Sequence, residues 1–180
     1  RFFNMLWLFF VGRLFLTFFT QKQFFGLYVL ASIFAGLVFI GSYQAIPILR
    51  GSLAPMVGAS GAIMAILVGT AVYAPQYQVR LMLIGTVRLW HIAGVFIVLD
   101  LIDVSVSNSG GHIAHLSGAL FGFIYIKLLL NGTDLSKGVS VIIDFFANLF
   151  KPRKSTPFTK VHRNPAPQQT RTASKPVKDM

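Results

Sequence analysis

Ser60 and His115 are the two side chains best suited to chemistry in this chain, and both sit where an apolar sequence would ordinarily carry neither. Ser60 lies in Gly58-Ala59-Ser60-Gly61 and His115 in Ala114-His115-Leu116-Ser117-Gly118-Ala119-Leu120-Phe121-Gly122, each at the head of a long apolar stretch. A hydroxyl or an imidazole in a hydrocarbon environment is costly unless it finds a hydrogen-bond partner or lines a wet cavity, so such residues mark candidate functional sites. A serine becomes a nucleophile when a base can take its proton, and the charge that develops on the attacked carbonyl needs donors about 3 Å away. At a helix start, free N–H groups and the positive end of the dipole lie beside Ser60 and favour such an oxyanion. Gly58 and Gly61 allow close approach of a substrate backbone. The chemistry suggested is peptide hydrolysis within a membrane. Taken singly, each motif also fits a packing role, with the serine or the histidine bonded to a backbone carbonyl.

Two helices must bring these residues together. On a helical wheel His115 shares a face with Gly118, Ala119 and Gly122, so its helix can approach a neighbour closely just below the imidazole. The helix after Ser60 carries small residues at Ala62, Ala65 and Gly69. Packing the two stripes together would draw Ser60 towards His115, although Ser60 itself falls off the stripe through Ala62.

The composition agrees with a membrane setting. Hydrophobic residues make up 54% of the 180 and charged residues only 12%, with a mean hydropathy of +0.68, too apolar for a water-soluble domain of this size. Runs of a length that spans a bilayer as helix fall at residues 2–19, 24–43, 57–74, 89–102 and 113–130. The expected fold is an all-α polytopic membrane bundle with about five spanning helices. The first run opens almost at Arg1 without the pattern of a cleaved signal peptide, as in a fragment of something longer.

The net charge of +11 is distributed by side rather than clustered. Lys22, Arg80, Arg88 and the basic tail fall in connections on one side of the runs, against Arg50 alone on the other. This is the positive-inside pattern, and it places the C-terminus in the cytoplasm and the heads of the third and fifth runs outside. Three segments follow: a membrane domain over 1–131, an amphipathic juxtamembrane helix over 132–150, and a basic disordered tail over 151–180. In the second, Leu135, Val139, Ile142, Ile143, Phe146 and Leu149 form an apolar face suited to the inner leaflet, with Ser136, Ser140, Asp144 and Asn148 on another. The tail has little to bury, and its cations suit anionic lipid. It lacks interleaved aromatics for base stacking, so no nucleic-acid partner is expected.

The remaining candidates are few. With no cysteine and no glutamate, thiol catalysis and Cys-ligated zinc are excluded, and the carboxylates number five. Asp100 and Asp103 lie in one short stretch rather than on two facing helices, which argues against an aspartyl protease and suggests outer-interface residues. His112 could serve as base or pair with His115 as a metal ligand, but a metal needs a third ligand and the sequence offers no HExxH, so no metal is expected and His112 reads as a loop or interfacial residue near the site's mouth. His91 falls at the opposite, inner end.

Gly58-Ala59-Ser60-Gly61 together with the AHxxGxxxG pattern from Ala114 to Gly122 resembles the rhomboid family of intramembrane serine proteases, over about residues 1–130. The resemblance implies a Ser/His dyad without a third acid: Ser60 attacks the scissile carbonyl, and His115 accepts its proton and returns it to the leaving amine. Gly58, Gly61, Gly118 and Gly122 would pack the helices near the site. Asn4 matches the asparagine of the family's HxxxN motif and, with the Ser60 N–H, would hold the oxyanion. The histidine of that motif would precede Arg1, as would the first of the family's six helices. Met64 stands where many members carry a tyrosine packed on the catalytic histidine. No cofactor is implied. The implied partners are transmembrane protein substrates and the lipid bilayer, and the expected location is a bacterial inner membrane. The alternatives are a catalytically inactive relative that binds or escorts membrane clients and, less well matched, a small transporter component. The middles of the apolar runs carry almost no polar residue to line a pore.

Overall fold

Each apolar run folds as a helix, and the third becomes the axis of the bundle. The computed structural model describes residues 2–47, 59–81, 85–104 and 109–149, which hold six helices and a two-stranded hairpin. Helix α1 (Phe2–Leu16) buries only Val11, Gly12 and Phe15 and leaves Phe2, Phe3, Phe9 and Phe10 exposed, as an apolar helix facing lipid would. It gives way through Thr17 to α2 (Gln21–Ala45), which starts on a capping box. There Gln23 N–H donates to Thr20 Oγ1 and the Thr20 N–H to Gln23 Oε1, satisfying two donors the helix leaves free. Gly26, Leu27, Ala31 and Ala35 form the buried stripe of α2.

Helix α3 (Ala59–Tyr73) is buried at every position from 61 to 71, because α1, α2, α4 (Leu89–Asp103) and α5 (Ser109–Leu130) all pack on it. Its approach to α5 is set by glycine. A Cβ on Gly118 would collide with the carbonyl oxygen of Gly61, and one on Gly122 with that of Ala65; one on Gly61 would stand 2.8 Å from the carbonyl oxygen of Ala114. The small stripe of α5 therefore meets α3 as expected, but along Gly61, Ala65 and Gly69 rather than along Ala62. The shift is physical: i and i+4 residues form one ridge of a helix, and seating the ridge on Gly61 brings the two backbones into contact. Ser60 now adjoins the contact line.

Two helices, α2 and α5, are long and apolar enough to cross a membrane; α1, α3 and α4 have 15 residues each. At about 1.5 Å per residue such a helix rises about 22 Å, short of the roughly 30 Å hydrocarbon core. Among the described residues, the five expected runs thus give two helices of full spanning length and three whose described part is shorter.

Between α3 and α4 the chain forms an antiparallel hairpin where the sequence suggested only a connection. Strands β1 (Gln78–Leu81) and β2 (Gly85–Arg88) pair Val79 with Val87 and Gln78 with Arg88. Four-residue strands carry too short an alternation to read from sequence. At the end of α5 the Thr133 N–H donates to the Leu128 carbonyl and the Gly132 N–H to that of Leu129, with Gly132 at φ +89°, a closure that only glycine adopts without strain.

The last helix, α6 (Ser136–Leu149), is launched by Asp134, whose carboxylate accepts from both the N–H and the hydroxyl of Ser136. Its serine edge turns inward: Ser136 is buried against Gly26 of α2, and Asp144 pairs with Lys22 at 3.4 Å. Leu135 and Val139 also pack inward, while Val141, Ile142, Ile143, Phe145 and Phe146 face out. The expected tail, 151–180, lies outside the described residues.

Candidate active site

The helices alternate in direction, so the starts of α1, α3 and α5 and the end of α4 meet at one end of the bundle around a cavity of about 260 Å³. Asn4 and Trp7 line it from α1, Ser60, Ile63, Met64 and Leu67 from α3, Phe96, Leu99 and Asp100 from α4, and His115 from α5. Asn4, Ser60 and His115, which lie far apart in sequence, therefore face one space. Between α1 and α4 the Trp7 and Phe96 rings meet edge to face, with centroids 5.1 Å apart and planes at 89°. Met64 is buried in the wall. Gly61, Gly118 and Gly122 hold the α3 and α5 backbones together beneath the site. Gly58, expected to pack near the site, lies outside the described residues.

The arrangement around His115 departs from the expectation that no acid stands near it. Asp100 is only 6% exposed, and its Oδ1 accepts from Nδ1 of His115 at 2.9 Å and from Nδ1 of His112 at 2.7 Å. Asp100 is thus no outer-interface residue. It shares the inward face of α4 with Leu89, Ala93 and Phe96, at steps of four, three and four residues, which is why its side chain points into the bundle. His112 is likewise not a loop residue, because α5 begins at Ser109 rather than at 113. It sits in the first turns of that helix, with its ring centroid 5.9 Å from that of His115. Asp103 is half-buried at the end of α4, and His91 is exposed at the far end of the same helix, its ring tilted by 35° against that of Trp90.

An ionised carboxylate can only accept hydrogen bonds, so Asp100 fixes both Nδ1 atoms as donors. A neutral His115 then carries its proton on Nδ1 and its lone pair on Nε2, the tautomer a general base requires. Among the described residues no buried side-chain polar atom lacks a hydrogen-bond partner, so burying this charge leaves no orphan donor beside it. The two imidazoles and the carboxylate also form a set of three metal-ligating groups whose donor atoms lie within 4.8 Å of one another. The sequence showed no third ligand because Asp100 stands twelve residues before His112, on a different helix.

The model of the Rhomboid domain family matches residues 2–132. The chain belongs to the rhomboid family. This family includes serine proteases, and its membership together with the long apolar helices α2 and α5 points to an integral membrane protein built as a helical bundle. Comparison with curated proteins and with solved structures finds no match. The match covers α1 to α5 of this rhomboid protein and ends where the chain turns towards α6.

Proposed function

We propose that this rhomboid protein is an intramembrane serine protease that hydrolyses peptide bonds in or near the transmembrane segments of membrane proteins. The observation that carries the reading is the shared cavity. Ser60 and His115 face it together, and Nδ1 of His115 is held by the buried Asp100. In the reaction Ser60 Oγ attacks the scissile carbonyl carbon while Nε2 of His115 takes its proton. The protonated ring then delivers that proton to the leaving amine, and water repeats the sequence on the acyl-enzyme. Asp100 adds to the expected dyad a group that orients the imidazole and balances its transient positive charge. The Ser60 N–H at the start of α3 and the Asn4 amide are the donors offered to the oxyanion.

The proposed frame is a membrane domain over 1–131 with its active end outside, as the Lys and Arg asymmetry demands. Over 132–150 the outward apolar face of α6 rests in the inner leaflet, and the basic tail over 151–180 lies on anionic headgroups. Substrates are helices that unwind readily, since a regular helix shields its carbonyls. Cleavage of a reconstituted single-pass substrate tests the reading. Ser60→Ala and His115→Ala should each abolish it in protein that still inserts, with the double variant no worse than either. A folded wild-type protein that binds such substrates without cleaving them would make it an inactive relative.

A further inference from the structure

We propose that Asp100, His112 and His115 form a binding site for a divalent transition-metal ion of the zinc class, and that the bound ion switches the protease off. Two imidazole nitrogens and one carboxylate oxygen are a donor set that suits Zn²⁺ and its neighbours rather than Mg²⁺ or Ca²⁺, which prefer all-oxygen shells. The three groups already converge, with His112 Nδ1 and His115 Nδ1 both directed at Asp100 Oδ1 at 2.7 and 2.9 Å. Zinc bonds of about 2.0–2.1 Å at tetrahedral angles put ligand atoms about 3.3 Å apart. All three donors lie within 4.8 Å of one another, so small side-chain rotations reach that geometry. The side chains of His112 and His115 are 18% and 27% exposed, so the site is not sealed inside the bundle. A water molecule would complete the fourth position.

Inhibition follows from proton bookkeeping. In the metal-free site the two Nδ1 atoms carry protons and donate hydrogen bonds to the carboxylate. A metal on Nδ1 of His115 takes that nitrogen's lone pair, so the neutral ring must carry its proton on Nε2. Each histidine changes tautomer, with no net gain or loss of protons. Nε2 of His115 is then a donor and cannot accept the proton of Ser60, and the ion also occupies the charge of Asp100. This part rests on the reading of His115 as the base; the binding site does not.

The test is a titration of the full chain in detergent with zinc chloride, followed by calorimetry, beside the same titration of His112→Ala, His112→Gln, Asp100→Asn and His91→Ala. Circular dichroism checks that each variant is folded. Wild type and His91→Ala should share a binding step that the other three lose or weaken by more than the roughly 10- to 100-fold typical of an outer-shell loss. Cleavage by the wild type should fall with the same midpoint, recover on chelation, and become resistant to zinc in the His112 variants, each compared with its own zinc-free rate. Unchanged zinc affinity in both folded His112 variants overturns the site. Full cleavage at saturating zinc overturns the switch. A chain that cleaves nothing even without zinc refutes the protease reading, and calorimetry then still decides the site.

Discussion

Replacing Asp100 with Asn removes one charge and almost no volume, which makes it the sharpest probe of how the base is held. In the wild type the carboxylate accepts from His115 Nδ1 at 2.9 Å in a setting where Asp100 is 6% exposed. A hydrogen bond to a charged group is worth about 1.5–3 kcal/mol, and at about 1.4 kcal/mol per factor of ten its loss costs roughly 10- to 150-fold. The amide adds a second penalty. Its NH₂ can donate to Nδ1 and so favour the Nε2–H tautomer, an error that costs about 10⁴-fold in a fully buried triad. Here the Asn carbonyl can still accept from Nδ1, which softens that penalty. The expected fall in kcat/KM is therefore about 10²- to 10³-fold, between those bounds, and carried mainly by kcat. The assay is steady-state cleavage of a reconstituted substrate with kcat and KM reported separately, beside Asp103→Asn as a control that should stay near wild type. Folded Asp100→Asn protein with kcat within a factor of three of wild type would refute the role assigned to the carboxylate.

Gly118→Ala should destabilise strongly, because the added methyl group meets the Gly61 carbonyl; overpacking of this kind costs about 1–3 kcal/mol or more, whereas Gly36→Ala, with nothing within 4 Å, should leave the thermal midpoint in detergent unmoved or slightly raised. Equal midpoints would show that the α3–α5 contact is looser than described. Asn4→Ala should lower kcat more than it raises KM, by about 10²-fold or less, since the Ser60 N–H shares the oxyanion; an unchanged kcat would leave Asn4 a wall residue only. Cysteines introduced at Ser107 and Ser174 should react with an impermeant thiol reagent on intact cells at Ser107 alone, and labelling at Ser174 alone would invert the membrane orientation.

Much of the fold was legible because helices in lipid need long apolar runs, and five such runs became α1 to α5 within a few residues at most ends. The closeness of α3 and α5 was legible from small residues four apart, though not the choice of Gly61 over Ala62, which depends on how two ridges seat. Of the candidate site, Ser60 and His115 were singled out by local motifs and Asn4 by the family resemblance, and the three line one cavity. Asp100 was not, because its partners stand twelve and fifteen residues away across 105–108, and only the facing of α4 brings them together. Its spacing from Ala93 and Phe96 was the available signal, since an aspartate on a helix's buried face needs a partner. The inward packing of Ser136, Leu135 and Val139 at the start of α6 was hidden for another reason. Its serine edge packs on Gly26, and a sequence pattern names two faces without saying which one meets protein.

Ser60 is proposed as an activated nucleophile, and covalent labelling reads that activation without needing to know the substrate. Folded protein in detergent treated with a fluorophosphonate probe should acquire one adduct, mapped by mass spectrometry to Ser60, and His115→Ala should lose it. Absence of an adduct at Ser60 in protein that is folded and metal-free, or labelling that survives His115→Ala undiminished, would contradict the account.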